Sequence, residues 1–186
     1  MSQPNTEPKV RRRFSFRKVC RCLLLVLLVF SLTSMLLSAV MFRVLFPRND
    51  GTTAYRTAYE DVDPSAYPRT EFTFPSGNSA LSACRYDVPD ARGQIVVVNG
   101  IGAGIDAHLP EILCFLDHGW SVVTWDATGV GSSEGRGLIG LQQVRKDLLA
   151  YLDYRKTQGD SLPLLLYGHS AGAYAAATVL DEDGVA

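Results

Sequence analysis

The chain has 186 residues, 47% of them hydrophobic and 20% charged, with a formal net charge of −1 at pH 7. This composition excludes a disordered protein, a collagen-like protein and a disulfide-dense scaffold. The small net charge is the sum of two opposite parts, because residues 1–48 carry nine Lys or Arg against one acid, whereas the remainder carries nine against eighteen. The Lys and Arg residues of the first part lie on either side of an apolar run and do not form a separate basic segment. The sequence therefore argues against a nucleic-acid partner.

Residues 22–42, CLLLVLLVFSLTSMLLSAVMF, are a run of 21 residues without a charged side chain. A helix of this length spans about 31 Å at about 1.5 Å per residue, which matches the hydrocarbon core of a bilayer. The run predicts an uncleaved transmembrane helix that follows a basic tail over residues 1–21. A cleaved signal peptide is the alternative, and it is disfavoured because Leu36 and Val40 stand where a cleavage site needs small residues.

The charges on either side of this run predict its orientation. Seven cationic residues precede it, and three follow closely at Arg43, Arg48 and Arg56. Because cationic flanks remain in the cytoplasm, the N-terminal tail is predicted to be cytoplasmic and the rest of the chain extracytoplasmic. The protein is thus predicted to be a single-pass membrane protein.

The four cysteines show no CxxC pair and no Cys/His spacing typical of a zinc site. Cys20 and Cys22 lie at the predicted cytoplasmic face of the membrane. Cys84 and Cys114 belong to the folded part, where we predict free, buried thiols. A disulfide between these two is the alternative, because an extracytoplasmic domain lies in an oxidising compartment.

The chain after the apolar run divides into a linker and a folded domain. Residues 43–70 are rich in Pro, Asp, Thr and Tyr without a sustained period, which predicts a juxtamembrane linker that allows a short helix near residues 55–61. The domain is predicted over residues 71–186. It opens with a β-hairpin of residues 71–74 and 79–88.

Strands and helices then alternate along the chain. The predicted elements are a strand over residues 94–99, a helix from an Asp106 cap to a Gly119 stop, a strand over 121–125, a helix over 138–156 and a strand over 162–168. The strand QIVVVN at 94–99 is an uninterrupted apolar run, which is typical of a strand buried on both faces of a parallel sheet. In the second helix we expect one apolar face, formed by Leu141, Val144, Leu148 and Leu152. The order of elements predicts an α/β sheet with right-handed crossovers.

Gly168-His169-Ser170-Ala171-Gly172 stands between the last predicted strand and a helix-favouring run, AYAAATVL. A G-x-S-x-G sequence in this position is typical of a nucleophile elbow, a turn so tight that a Cβ at either flanking glycine would clash. Such a turn lifts the Ser170 hydroxyl clear of the sheet and directs the Ala171 N–H toward a developing oxyanion. A Gly-rich turn without catalysis is the alternative, and the position of the motif disfavours it.

Together with this motif, residues 126–135, DATGVGSSEG, resemble the D-x-x-G-x-G-x-S segment of the α/β-hydrolase family. Within the family the chain is similar to monoacylglycerol lipases and to serine aminopeptidase-like hydrolases. The resemblance covers residues 71–180 and implies an α/β-hydrolase sheet with Ser170 as nucleophile. In such enzymes a His-Gly pair after the third strand precedes the second oxyanion donor. Here the pair is Asn99-Gly100, so the resemblance implies the Ile101 N–H as that donor.

The family order of a catalytic triad is Ser, then Asp or Glu, then His, each on a later loop. The acids at 181–183 lie at least ten residues beyond Ser170 on the same predicted helix, about 15 Å along its axis, too far to orient a base. His108 and His118 belong to the first predicted helix, and His169 adjoins the serine with its side chain expected to point away. We therefore expect the chain to be the N-terminal half of a hydrolase, inactive and poorly soluble by itself.

The predicted function is a membrane-anchored serine hydrolase that cleaves an ester, thioester or amide of a small molecule or lipid through an acyl-enzyme, without a metal or an organic cofactor. One alternative is a membrane-tethered interaction module that keeps the fold without catalysis. A less favoured alternative is a dinucleotide-binding protein, suggested by the glycine-rich segment NGIGAG after a strand. Two observations argue against this alternative: Ile105 stands where the third fingerprint glycine belongs, and a hairpin precedes the strand.

Overall fold

The computed structural model of the protein describes three stretches of the chain, residues 16–51, 57–137 and 140–180. The chain divides into two units, Met1–Leu45 and Phe46–Ala186. In its described part the first unit is one long apolar helix, and the second is a mixed sheet with helices on both faces.

Helix α1, Phe16–Leu45, encloses the predicted 22–42 span and extends beyond it at both ends. Its basic flanks continue the helix because Lys and Arg are good helix formers, and the first proline after the helix is Pro47. The mean hydropathy of its most apolar 18-residue window is 2.6, so α1 is long and apolar enough to cross a membrane. A signal sequence near the N-terminus meets the same criteria.

The second unit contains five strands and three helices among its described residues. The strands are β1, Arg69–Ser76; β2, Ser79–Tyr86; β3, Gln94–Val98; β4, Ser121–Trp125; and β5, Leu164–Gly168. The helices are α2, Leu109–Asp117; α3, Leu141–Thr157; and α4, Ala171–Ala177. The short helix allowed near residues 55–61 is a 3-10 turn at Tyr59–Asp61, and residues 55 and 56 lie outside the described residues.

The strands form one sheet in the order β1-β2-β4-β3-β5. β1 and β2 are an antiparallel hairpin that pairs Ser76 with Ser79, and Gly77 begins its two-residue turn with φ +58, a conformation that favours glycine. β2 is antiparallel to β4, whereas β3 is parallel to both β4 and β5. The three parallel strands therefore end at the same edge of the sheet, where loops begin at Asn99, Asp126 and His169.

Alternate residues of the central strands face two separate apolar cores. Val96 and Val98 of β3 pack in a core with side chains of α3 and α4, and Ile95 and Val97 pack in a second core with α2. All five residues of β3 are buried, as predicted for a strand covered on both faces. The sheet thus gives the loops at its carboxyl edge a rigid base.

β5 is less buried than its leucine-rich composition predicts, since Leu164 is the one buried residue among its five. It lies at the edge of the described sheet, paired only with β3 there, and Leu165 is 43% exposed. Its apolar composition is typical of a strand with neighbours on both edges, and an exposed edge of this kind favours aggregation.

The start of α2 also differs from its prediction. His108, and not Asp106, occupies the N-cap position. The Asp106 carboxylate instead accepts hydrogen bonds from the Arg69 guanidinium, at 3.0 Å, and from the Tyr59 N–H, at 3.3 Å. A local capping pattern could not reveal these partners, which lie 37 and 47 residues away in the chain.

Helix α3 begins at Leu141, after Gly140 with φ +81, and the first two residues of its predicted range, 138 and 139, lie outside the described residues. Leu141 is 43% exposed, so its predicted place on the buried face is wrong. The buried face of α3 is formed by Val144, Asp147, Leu148, Tyr151 and Leu152.

Asp147 is a fully buried carboxylate that the sequence analysis did not identify. Its Oδ1 accepts hydrogen bonds from the Ser76 hydroxyl at 2.7 Å, the Thr128 hydroxyl at 2.8 Å and the Gln143 amide at 2.9 Å. Its Oδ2 accepts the Thr128 N–H at 2.9 Å. The carboxylate thereby joins the hairpin, the loop after β4 and α3. In the sequence, this role is indicated by a single acidic residue at the helical spacing of the apolar residues Val144 and Tyr151.

Cys84 and Cys114 are free thiols, as predicted, but only Cys84 is buried, since Cys114 is exposed on α2. Burial raises the pKa of the Cys84 thiol to about 12, because the thiolate would lose its hydration. Burial likewise raises the phenol pKa values of Tyr86 and Tyr151 above their ordinary range.

The folded second unit should lose stability as the pH rises above about 9, the ordinary pKa of a thiol. The buried thiol and phenols ionise more readily after unfolding, so their contribution is intact below the unfolded pKa values and lost as the pH rises toward the folded ones. Urea unfolding followed at several pH values checks this, with Cys84→Ala expected to weaken the dependence. A midpoint that stays constant from neutral pH into the alkaline range would contradict it.

Candidate active site

β5 passes into α4 through the predicted elbow, and Ser170 holds the most unusual backbone conformation there. Ser170 has φ 55 and ψ −115, and among the described residues only Asp90 shares a positive φ without being glycine. Such a conformation costs a residue with a side chain about 1–3 kcal/mol, and it persists only where the surrounding structure enforces it. Strain of this kind concentrates at functional sites.

The glycines on either side of Ser170 show what enforces the turn. A Cβ built on Gly168 would lie 2.5 Å from the Gly172 carbonyl oxygen and 2.6 Å from the Ala173 nitrogen. A Cβ built on Gly172 would collide with the carbonyl oxygen of Val98 in β3. The clashes expected for the motif are therefore present, and α4 approaches β3 closely because both positions are glycine.

Ser170 and His169 are exposed at the carboxyl edge of the sheet. The Ser170 hydroxyl makes no hydrogen bond to any residue that the structure describes. The His169 ring packs against His108, with ring centroids 4.8 Å apart, so it lies toward the N-terminus of α2. Among residues 16–51, 57–137 and 140–180, therefore, no side chain is bonded to the Ser170 hydroxyl as a base.

The other two histidines occupy opposite ends of α2. His108 holds the N-cap position of α2 and is 9% exposed, with its Nδ1 3.3 Å from the Glu111 carboxylate. The His118 Nδ1 lies 2.7 Å from the Cys114 carbonyl oxygen, at the exposed far end of the helix. The acids at 181–183 lie outside the described residues.

Ile101 lies in the loop after β3, beside the elbow. A Cβ built on Gly100 would lie 3.4 Å from the Ser170 Cβ and 3.4 Å from the His169 carbonyl oxygen. Within the described part of the chain, neither the Ile101 N–H nor the Ala171 N–H donates a hydrogen bond to another residue. Two unbonded backbone donors on segments next to a serine are the groups that an oxyanion hole requires.

Asn99 stands where the resemblance leads one to expect histidine. Its side chain is 4% exposed, and its Nδ2 lies 3.1 Å from the Gly104 oxygen, 3.2 Å from the Thr124 hydroxyl and 3.1 Å from the Trp125 oxygen. The amide therefore joins the loop after β3 to the end of β4. The asparagine supplies hydrogen bonds of its own that shape this loop.

The loop after β4 contains the D-x-x-G-x-G-x-S segment, and its acid and serine have structural roles. The Asp126 Oδ1 accepts the Ile105 N–H at 2.7 Å, and its Oδ2 accepts the Ser132 N–H at 2.8 Å. The Ser133 hydroxyl donates to the Asp126 carbonyl oxygen at 2.5 Å and accepts the Ser82 N–H at 2.8 Å. These bonds tie the loops after β3 and β4 to each other and to β2.

The described residues contain no group of three or more His, Cys, Asp or Glu side chains suited to bind a metal ion. The glycine-rich segment NGIGAG forms the loop after β3, and the antiparallel hairpin before it belongs to the same sheet. The dinucleotide-binding alternative is therefore wrong, because that fold begins at the strand before the glycine-rich turn.

The strand order, the crossovers and the elbow define an α/β-hydrolase fold, as the sequence predicted. The family model described as "Serine aminopeptidase, S33" matches residues 89–184, just over half of the chain. The chain belongs to this family of α/β hydrolases, and its structural neighbours include esterases and lipases.

Three solved structures illustrate the similarity. An esterase of Pyrococcus furiosus is 20% identical with a TM-score of 0.62, over 74% of this chain and 54% of its own. A carboxyl esterase of Bacillus coagulans, solved with glycerol, is 25% identical with a TM-score of 0.50, over 62% and 41%. An α/β serine hydrolase homologue from Coxiella burnetii is 22% identical with a TM-score of 0.53, over 63% and 59%.

The chain spans about half the length of the first of these solved structures. No curated protein matches it at a significant level.

Proposed function

We propose that the protein is a membrane-anchored serine hydrolase that cleaves a carboxylic ester, a thioester or an amide through an acyl-enzyme on Ser170. The observation that carries this proposal is the backbone conformation of Ser170, φ 55 and ψ −115, between two glycines that leave no room for a Cβ. A serine on a strained strand-to-helix turn is typical of the nucleophile elbow. Membership of a hydrolase family supports the assignment.

In the proposed reaction the Ser170 Oγ attacks the acyl carbon and gives its proton to a histidine. The N–H groups of Ile101 and Ala171 bind the oxyanion of the tetrahedral intermediate. The intermediate collapses to the acyl-enzyme as the leaving group departs with the proton, and water then attacks by the same route and restores the Ser170 hydroxyl. These steps need neither a metal nor an organic cofactor.

The histidine and its acid are assigned to residues that follow the elbow, because the family order is Ser, acid, His. Residues 171–180 include neither type. A non-catalytic interaction module with the same fold is the second candidate, favoured by the lack of a base bonded to Ser170 among the described residues. Turnover of a short-chain nitrophenyl ester by the full-length protein separates the two, since only the hydrolase is expected to show it.

The proposed substrate is a small-molecule or lipid ester, and no nucleic acid takes part. Lipid esters fit the apolar helix α1, which would keep the enzyme at the surface of a bilayer. The proposed location is a single-pass membrane protein with a cytoplasmic N-terminus and an extracytoplasmic hydrolase domain, which rests on the charge asymmetry around α1.

A reporter fused after Asp50 should be extracytoplasmic, and the mature protein should keep its N-terminal residues. The expected result follows from seven cationic residues before the apolar run against three after it. Protease protection of the reporter and N-terminal sequencing of the mature protein measure the two parts, with a reporter fused before residue 16 as the cytoplasmic control. A cytoplasmic reporter after Asp50, or a mature N-terminus beyond Ala39, would overturn this topology.

A further inference from the structure

The segment Phe46–Gly51, the clamp segment, packs against the two loops beside the elbow although the sequence predicts a linker there. The Arg48 guanidinium contacts the loop after β4 through two parallel donors. Its Nη1 donates to the Gly135 carbonyl oxygen at 2.8 Å, and its Nη2 donates to the Gly131 carbonyl oxygen at 2.7 Å. This two-pronged contact needs the planar fork of arginine, which lysine lacks.

The backbone of Asn49 continues the contact with the same loop. Its N–H donates to the Gly129 carbonyl oxygen at 3.1 Å, and its carbonyl oxygen accepts the Gly131 N–H at 2.9 Å. Asn49 and Val130 thereby form a parallel β-bridge. The clamp segment is therefore bonded in register to the loop that carries the D-x-x-G-x-G-x-S motif.

The end of the clamp segment contacts the loop after β3. The buried Gly51 carbonyl oxygen accepts the Gly104 N–H at 3.1 Å, and the Asn49 Oδ1 accepts the Gly51 N–H at 2.8 Å. A Cβ built on Gly104 would lie 2.5 Å from the Gly51 oxygen, and one built on Gly102 would lie 2.9 Å from the Asn49 Nδ2. The two segments are thus in direct contact, at distances that only glycine permits.

The loop after β3 needs such external support. Gly100, Gly102 and Gly104 alternate along it, so its own backbone is unusually free. An oxyanion donor must be held close to its productive position, and misplacement by about 1 Å is costly. Asn99 and Asp126 hold the loop at Gly104 and Ile105 from the sheet side, and the clamp segment contacts Gly102 and Gly104 from the other side.

We propose that Arg48 and Asn49 are positioning residues that hold the loop after β3 and thereby aim the Ile101 N–H at the oxyanion. Their role in catalysis rests on the proposed hydrolase function. The Asn49 side chain acts by fixing the Gly51 carbonyl group, and Arg48 acts by fixing the clamp segment on the loop after β4. The segment directly after the apolar helix is accordingly part of the catalytic unit.

The test compares Arg48→Ala, Asn49→Ala and Asn49→Asp in the full-length protein, with Arg92→Ala as the matched control. Arg92 is exposed and its guanidinium packs over Trp120, away from both loops. Steady-state hydrolysis of a short-chain nitrophenyl ester gives kcat and KM. Hydrogen exchange of the peptide that contains residues 99–105 reports the order of the loop independently of activity.

The alanine variants should lower kcat about tenfold or more, less than the full loss of an oxyanion donor, with KM changed less than about threefold. Their 99–105 peptide should exchange faster. Asn49→Asp should stay close to wild type, because its carboxylate still accepts the Gly51 N–H, and Arg92→Ala should match wild type in both measurements. This rescue distinguishes positioning from a general loss of folding.

Wild-type kcat and wild-type exchange in both alanine variants would overturn the proposal, as would an Asn49→Asp variant as impaired as Asn49→Ala. If Arg48→Ala unfolds, as a thermal melt would show, the two Asn49 variants decide. If the wild-type protein hydrolyses no ester, the proposed function fails on that result. The exchange rates of residues 99–105 then decide alone whether the clamp segment holds the loop.

Discussion

Replacing Ser170 with alanine in the full-length protein should lower kcat/KM for a short-chain nitrophenyl ester by about three or more orders of magnitude, the scale seen when a triad nucleophile is removed. Alanine deletes the attacking oxygen and keeps the Cβ, so the backbone of the elbow should keep its strained conformation. Within the described residues no hydrogen bond of the Ser170 hydroxyl is lost. The thermal midpoint should therefore stay near that of wild type.

The matched control is Ser161→Ala, because Ser161 is an exposed serine in the loop before β5. Its activity should remain within about twofold of wild type, as is usual for surface substitutions. Retention of more than a tenth of the wild-type activity by the Ser170→Ala protein would show that the nucleophile has been assigned to the wrong residue.

Replacing Asp147 with alanine should lower the free energy of unfolding by about 3 kcal/mol or more, because unsatisfied buried donors cost about 1–3 kcal/mol each. The change leaves the hydroxyls of Ser76 and Thr128, the Thr128 N–H and the Gln143 amide without their acceptor. It also opens a cavity between α3 and the hairpin. Urea unfolding followed by circular dichroism measures the loss.

Asp153→Ala on the same helix is the control for this prediction. The Asp153 side chain is 79% exposed, and its closest ionic partner is the Lys156 Nζ at 3.8 Å. Its loss should change the free energy of unfolding by less than about 0.5 kcal/mol, as expected for an exposed pair. Equal effects of the two substitutions would contradict a structural role for the buried carboxylate.

The parts of the fold that the sequence predicts well are those that local patterns encode. β4 has the predicted bounds, and β3 ends one residue before its predicted end, because uninterrupted β-branched runs bounded by turns have few other interpretations. The elbow is predicted for a similar reason. Its two glycines and its serine lie within five consecutive residues, and the clash that requires glycine at position 168 arises within the turn and the start of α4.

The parts that escape prediction depend on partners far away in the chain. The local sequence predicts that Asp106 caps a helix, but its carboxylate accepts hydrogen bonds from Arg69 and Tyr59. Arg48 looks like a residue of a polar linker, and its guanidinium bonds two carbonyl groups 83 and 87 residues away. Such contacts follow from the assembled sheet and have no periodic signal in the sequence.

Asp147 lies between these cases. Its position three residues after Val144 and one before Leu148 places it on the apolar face of α3, where an acid requires several donors to offset its burial. The sequence therefore shows that something must satisfy this carboxylate. It does not show that the donors come from β1 and from the loop after β4.

Covalent labelling of the full-length protein with a fluorophosphonate tests the central claim most directly. The Ser170 Oγ should displace fluoride from phosphorus, with the proton passing to the base, and the oxyanion donors should stabilise the charge on the phosphoryl oxygen. Peptide mass spectrometry should then find one phosphonyl group on Ser170, none in the Ser170→Ala protein and a normal amount in the Ser161→Ala protein. Equal labelling of the Ser170→Ala protein, or ester hydrolysis by a wild-type protein whose Ser170 stays unmodified, would contradict the assignment of Ser170 as the nucleophile.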